Sequence, residues 1–280
     1  MEDDYFMKAL AGPFDDWPIY DATVIFAITA RVGSTSLVDA VARSGIASEV
    51  AEIFNPRHHG YVIYGELKPN NAQDYLNRYF QRFMRTGRLV FKSNYWDLVT
   101  AIPRKDVRDR LFPNLKVIYC YRRDLLAQAY SLWRANSTNV WHVADPSAAI
   151  PSPSSAPDFA AIKASMDNLA YEVHHWQLLF EREEIEPLSI AYEDIAADHD
   201  AATRAVLDFI GSNAPLAQTT HRKISTTPED IAAIDELRRA VLEQRSDNSP
   251  ARYGDAALER PSGSGDAHPR AGSDNGPPVG

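Results

Sequence analysis

The stretch from Thr23 to Val41 constrains the fold more than any other part of the chain. An apolar, β-branched run (Val24, Ile25, Phe26, Ile28) enters a turn of small residues, Thr29-Ala30-Arg31-Val32-Gly33-Ser34-Thr35. A helical pattern of Leu37, Val38, Ala40 and Val41 follows, and Gly45 closes it. Strand, tight turn and helix in that order line up backbone N–H groups at a helix N-terminus. Those groups and the positive end of the helix dipole attract phosphate. Ser34 and Thr35 add hydroxyl donors. The segment departs from the nucleoside-triphosphate loop, which needs a Lys before the Ser/Thr and a second Gly. Here the cation is Arg31, upstream of Gly33. Read alone, such a turn is more often a plain β–α connection than a phosphate site.

A second segment has the same form. Leu115 to Cys120 is rich in β-branched and aromatic residues and is predicted to be a buried strand. It runs into Tyr121-Arg122-Arg123-Asp124, where Asp124 suits the N-cap of a helix over Leu125 to Ala135. Arg123 at the helix mouth and Ser131, eight residues on, can reach one monophosphate, the Arg by a charge-assisted fork and the Ser by its hydroxyl. An Arg paired with Asp124 and a Ser tolerated within a helix would satisfy the same spacing.

Strand-like runs at 23–30, 89–92, 116–121 and 187–192 alternate with helical patterns, so an α/β fold with a mostly parallel central sheet flanked by helices is expected. Ligands of such sheets sit at the C-terminal ends of the strands, where Arg31, Lys92 and Arg123 all fall. Helices are expected over 159–183, with Leu169, Val173, Trp176 and Phe180 on one face, over 199–210, and over 228–244. His174 and His175 are adjacent on the first of these and point in different directions, a poor arrangement for a metal. Asp145 to Pro157 carries four prolines and reads as a loop, either a lid over the site or a surface excursion. The expected organisation is a single P-loop-like domain over 1–245 and a flexible, disordered Gly/Pro/Ser-rich tail over 246–280.

A net charge of −9 argues against nucleic acid as a partner but leaves room for a small anion held by a few focused cations. The one cysteine, Cys120, excludes an internal disulfide and suits a reducing compartment. No apolar run approaches the roughly 20 residues of a membrane span, and the acidic start Met1-Glu2-Asp3-Asp4 is unlike a secretory signal. A cytoplasmic location is therefore expected.

Four segments together resemble the sulfotransferases that use 3′-phosphoadenosine 5′-phosphosulfate, specifically the bacterial trehalose 2-sulfotransferase family. Arg31-Val32-Gly33-Ser34-Thr35 is similar to the family's 5′-phosphosulfate loop. Glu49-Val50-Ala51-Glu52-Ile53-Phe54 is similar to the segment that holds an acidic residue before an aromatic pair. Arg122-Arg123-Asp124, continuing through Ala127-Gln128-Ala129-Tyr130-Ser131-Leu132-Trp133-Arg134-Ala135, is similar to the 3′-phosphate motif, and Asn139-Val140-Trp141-His142 extends it. The resemblance covers about residues 20 to 210 and is densest over 116–142.

It implies that 3′-phosphoadenosine 5′-phosphosulfate is the co-substrate and that no metal is required. The sulfuryl group would pass to a hydroxyl of a small-molecule or lipid-linked sugar, and some family members being dimers, a homodimer is expected. By the same resemblance, the backbone of Arg31 to Thr35 with the Ser34 and Thr35 hydroxyls would hold the 5′-phosphate. Arg31 would neutralise the bridging oxygen, Glu52 would be the general base, and Lys92 would meet the sulfate oxygens or the acceptor. Arg123 and Ser131 would bind the 3′-phosphate, with Arg222-Lys223 a late basic contact. Val32 departs from the family's hydroxyl residue and can offer only its backbone N–H. The chain between Glu52 and Lys92 matches poorly, and acceptor specificity is expected to reside there. Glu49 competes with Glu52 for the role of base. Trp133 and Trp141 read as core or dimer-contact aromatics, and Tyr192-Glu193-Asp194 as structural. Two other readings use the same residues: a P-loop kinase or NTPase with ATP and Mg2+, and a nucleotide-binding protein without turnover.

Overall fold

The computed structural model of the 280-residue chain describes residues 18–57, 59–141, 151, 153, 156–221 and 227–247. Four strands form one all-parallel sheet in the order β2-β1-β3-β4. They are β1 (Ala22–Ile28), β2 (Arg88–Asn94), β3 (Lys116–Tyr121) and β4 (Leu188–Ala191). All four match the expected runs, with β2 extending two residues further. In register, Phe26 of β1 lies beside Lys92 of β2, and Ile28 lies between Asn94 of β2 and Cys120 of β3.

Period-two alternation divides the strand side chains between two cores, as it must when both faces of a parallel sheet are covered. Ile25, Ala27, Leu89, Phe91, Val117 and Tyr119 face one layer. That layer is built from α3 (Ala72–Phe83), α4 (Tyr95–Ala101) and α7 (Phe159–Glu183), with Tyr75, Tyr79, Leu98 and Trp176 among its buried side chains. Val24, Phe26, Val90, Ile118, Cys120 and Ile190 face the other, where α1 (Ser34–Val41) and α9 (His199–Phe209) supply Leu37, Val41, Val206 and Leu207. Cys120 is fully enclosed there, and burial pushes its thiol up to about 12.

A third cluster joins α6 (Leu125–Thr138) to α7 and to the start of α10 (Pro228–Asp247) through Tyr130, Trp133, Leu169 and Ile234. Asp124, Asp158 and Asp198 cap α6, α7 and α9 through their side chains, as the short polar residue before each apolar run suggests. Helices α2 (His59–Leu67), α5 (Lys105–Leu111) and α8 (Tyr192–Ala197), with α3 and α4, are additions to the elements read from the sequence.

By its contacts the chain divides after Leu237, and the first unit carries the whole sheet. Of the second unit, only the end of α10, Arg238–Asp247, is described. The rest of the Gly/Pro/Ser-rich tail, most of the 145–157 loop, and Arg222-Lys223 lie outside the described residues.

Candidate active site

Three adjacent strands deliver their C-terminal ends to one edge of the sheet. The loop after β1 turns twice through the left-handed region, at Arg31 (φ 67°) and at Gly33 (φ 73°), before α1 begins. For Arg31 that conformation is costly and persists only where its surroundings over-determine it. Its side chain meets that condition: Nε donates to Ser131 Oγ at 3.2 Å and a terminal nitrogen donates to the Trp141 carbonyl at 2.6 Å. Gln128, fully buried on α6, holds the same loop by donating to Thr29 Oγ1 at 2.8 Å and to the Ala30 carbonyl at 2.6 Å. Gly33 caps α1 and has no side chain to accept from the first-turn amides. Ser34 is buried, Ser36 donates back to the Gly33 carbonyl, and the Val32 side chain is buried in the core beneath the turn.

Gly33 cannot be replaced without strain. A Cβ there would meet the Tyr192 ring at 2.9 Å, and its φ disfavours any L side chain. Gly33→Ala is expected to lower the melting temperature and to weaken anion binding at the loop together. Differential scanning calorimetry with and without ligand checks both, and an unchanged melting temperature would mean that the turn relaxes freely.

The two adjacent arginines after β3 part company. Arg123 is half-exposed and forks onto Asp194 of α8 at 2.9 and 2.6 Å. Glu193 caps the turn by accepting from the Arg123 and Asp124 amides. Arg122 turns inward instead, its guanidinium 4.3 Å from the centre of the same Tyr192 ring that packs on Gly33. The Arg122 Nε is buried without a hydrogen-bond partner. As folded, Arg123 therefore stands apart from the loop, and Arg122 supplies the inward cation. Neighbours in sequence at a strand end point to opposite sides, and the sequence reading chooses Arg123, the one that here faces Asp194.

Burial, then the nearby Arg122 charge, holds the Arg31 guanidinium below its usual range, and burial lowers Arg122 as well. Among the described residues no carboxylate pairs with Arg31. Two partly desolvated guanidiniums close enough to repel each other form a site that an anion would stabilise, although Glu193 and Asp124 already offset part of the Arg122 charge.

Next to Thr35 of the loop, Lys92 is 5% exposed, and its Nζ lies 3.2 Å from Glu52 Oε1 and 3.4 Å from Thr35 Oγ1. The Glu52 backbone bridges to β2 at Lys92, whose amide donates to the Ala51 carbonyl. Asn55 donates to the other Glu52 oxygen at 3.0 Å. Glu49 is exposed, so of the two carboxylates it is Glu52 that joins Lys92. Glu172 of α7 completes the acidic side, accepting from the Tyr95 amide at 3.1 Å. Burial, helped by the charges of Asp97 and Glu52, pushes its carboxyl up to about 7. Among the described residues no group of His, Cys, Asp or Glu is arranged to hold a metal ion.

The structure thus brings Arg31, Gly33, Ser34, Thr35, Ser131, Lys92 and Glu52 to one edge of the sheet. Sequence reading passed over Arg122, the Gln128 clamp and Glu172. Only Gln128 had a signal of its own, a polar residue at a helix position flanked by alanines.

Residues 97–233 match the family described as Stf0 sulphotransferase. A trehalose 2-sulfotransferase of Mycobacterium tuberculosis is 33% identical over 118 residues, covering 41% of this chain and 42% of that protein. The chain therefore matches less than half the length of this curated relative. Among solved structures, a sulfotransferase from Alicyclobacillus acidocaldarius aligns at 16% identity and TM-score 0.47, covering 84% of this chain and 94% of that one. The sulfotransferase domain of the Synechococcus PCC 7002 olefin synthase aligns at 16% identity and TM-score 0.44, covering 81% and 90%.

The Stf0 segment contains Arg122, Gln128, Ser131 and Glu172. The loop at 31–35, Glu52 and Lys92 precede it. Their place beside it comes from strand register and from the Arg31–Ser131 hydrogen bond across the two halves.

Proposed function

We propose that the protein is a sulfotransferase that moves a sulfuryl group from 3′-phosphoadenosine 5′-phosphosulfate to a hydroxyl of a carbohydrate or glycolipid. The observation that carries this reading is the pairing of two partly buried arginines, Arg31 and Arg122, with a base-and-lysine pair, Glu52 and Lys92, at neighbouring strand ends. The two phosphates of such a donor fit beside these arginines, the 5′-phosphate at Arg31 and the first turn of α1, and the 3′-phosphate at Arg122, whose orphaned Nε offers a donor.

In this reading the acceptor oxygen attacks sulfur in line with the sulfur–oxygen bond to the phosphate. That bond breaks, and its electrons leave with adenosine 3′,5′-bisphosphate. Glu52 takes the proton of the attacking hydroxyl. Lys92 touches both the base and Thr35 of the loop, so it stands where charge grows on the sulfuryl and bridging oxygens. Arg31 and the α1 amides stabilise the departing phosphate, while Ser131 and the cations after β3 hold the 3′-phosphate. Lys92 also holds the Glu52 carboxylate in place before the acceptor arrives, which is the geometric part of the catalysis.

Thermal unfolding with adenosine 3′,5′-bisphosphate, adenosine 5′-phosphate, and ATP with Mg2+ tests the donor site. The bisphosphate at about 100 times its dissociation constant should stabilise the fold by roughly 2.7 kcal/mol, more than either other ligand. Stabilisation by ATP with Mg2+ alone would overturn the reading. The same assay separates the two arginines. Arg122→Ala is expected to weaken bisphosphate binding at least tenfold. Arg123→Ala should cost less, because that side chain must first leave Asp194 to reach a phosphate. The reverse order would place the phosphate on the α8 side of the turn.

A further inference from the structure

Next to the Glu52–Lys92 pair lies an aromatic surface that the donor site leaves unused. Trp96, in the first turn of α4, and Tyr171, on α7, are 44% and 55% exposed. Their rings stack at 5.8 Å with 20° between planes. His175 closes the triangle at 5.1 Å from Trp96 and 4.1 Å from Tyr171. Tyr95 packs edge-on against Trp96 and against the buried Trp176, so the exposed rings rest on the protein core. Large aromatic rings on a soluble surface, held in place from beneath, form a preformed stacking platform.

The polar groups beside the platform narrow the choice of ligand. Glu172 follows Tyr171 directly, and one of its oxygens is occupied by the Tyr95 amide. Glu172 lies within electrostatic reach of Asp97 and Glu52. The Tyr119 hydroxyl, in the field of Glu172, belongs to a residue 94% buried and has no hydrogen-bond partner. Carboxylates only accept hydrogen bonds and repel anions, so these groups call for a neutral ligand rich in hydroxyl donors. A pyranose ring has that character, with an apolar C–H face for stacking and hydroxyls around its rim. The place agrees. Lys92 is two strand residues before Asn94, and Trp96 lies two residues further on in the first turn of α4, which sets the Trp96 backbone within about 12 Å of the Lys92 backbone.

We propose that Trp96, Tyr171 and Glu172 form the acceptor subsite, stacking a sugar ring so that one of its hydroxyls, or one on a linked ring, reaches Glu52. This inference rests on the sulfotransferase reading for its chemistry, but ring binding is measurable without turnover.

Saturation-transfer NMR and intrinsic fluorescence titrations on the full chain, with glucose, maltose and trehalose as probes, test it. At least one sugar is expected to show transfer to its ring C–H protons. Trp96→Ala and Tyr171→Ala should each weaken that sugar by about tenfold, Trp96→Phe should retain most of the affinity, and Glu172→Gln should weaken binding without removing the ring signals. Adenosine 3′,5′-bisphosphate affinity should stay within twofold in all four variants. Both ring substitutions are at exposed positions, and circular dichroism checks that the fold is kept. Three results would overturn the proposal: no probe binds, the probes bind the variants as they bind the parent, or Trp96→Ala removes bisphosphate binding and so marks an adenine platform. If sugars bind at the platform while the bisphosphate does not bind the parent protein, the sulfotransferase reading falls and the sugar site stands.

Discussion

Replacing Glu52 with Gln is expected to cut sulfuryl transfer by roughly 10²–10⁴-fold, the range for loss of a positioned general base. Gln keeps the shape and one acceptor oxygen, so Asn55 and the bridge to β2 can persist. What is lost is the negative charge facing Lys92 and the ability to take a proton. Adenosine 3′,5′-bisphosphate affinity should change little, because Glu52 reaches the loop only through Lys92, which contacts Thr35 itself. Lys92→Met provides the contrast: losing the ammonium should reduce both turnover and nucleotide affinity. The two variants are separated by measuring kcat alongside the nucleotide dissociation constant. A fully active Glu52→Gln protein would refute the assignment and turn attention to Glu172, whose carboxyl titrates near neutrality.

The largest effect on stability is expected far from that edge. Arg108 of α5 and Glu183 at the end of α7 form an ion pair with side chains only 5% and 6% exposed. Arg108 also donates to the Ile102 carbonyl at 2.6 Å, while its Nε is buried without a partner. Removing one member leaves the other charge buried and unpaired, so Glu183→Ala should cost about 3–5 kcal/mol. For a chain of this size that is a drop of roughly 6–20 °C in melting temperature. Exchanging both for apolar residues of similar volume, Arg108→Met with Glu183→Leu, should recover most of the loss, because no buried charge then remains. Chemical denaturation of the single and double variants closes the cycle. A cost below about 1 kcal/mol for Glu183→Ala would mean that water or Arg182, which also approaches Glu183, compensates the charge.

Much of the architecture is written in local patterns. Apolar strands such as Val24–Ile28 and Lys116–Tyr121 alternate with helices opened by Asp124, Asp158 and Asp198, and alternation of this kind dictates a parallel sheet with both faces covered. The turn at Gly33 was legible for the same reason, because a left-handed turn before a helix needs a residue without a Cβ. Of the helices missed, α2, α4, α5 and α8 are short and packing rather than intrinsic periodicity holds them, whereas α3 was legible and passed over, with Asn71 as its cap and Ala72, Tyr75, Leu76 and Tyr79 buried at helical spacing.

The site divides along the same line. Residue types and their positions at strand ends and helix mouths are local facts, so Arg31, Lys92 and Ser131 could be named from the chain itself, whereas Glu52 was named only through the family resemblance. Which side chain faces which is a property of strand order and side-chain direction. Because β1 lies between β2 and β3, Lys92 meets Thr35 and Arg31 meets Ser131 across 57 and 100 residues of chain. Because Asp194 draws Arg123 outward, Arg122 takes the inner position. Trp96 and Tyr171, 75 residues apart in the chain, become one surface only when α4 and α7 pack on the same face of the sheet. By itself the sequence determined the elements and the chemistry available at their ends. The tertiary structure decided the partners, because hydrogen bonds, ion pairs and ring contacts depend on distances that the folded chain sets and separation along it does not.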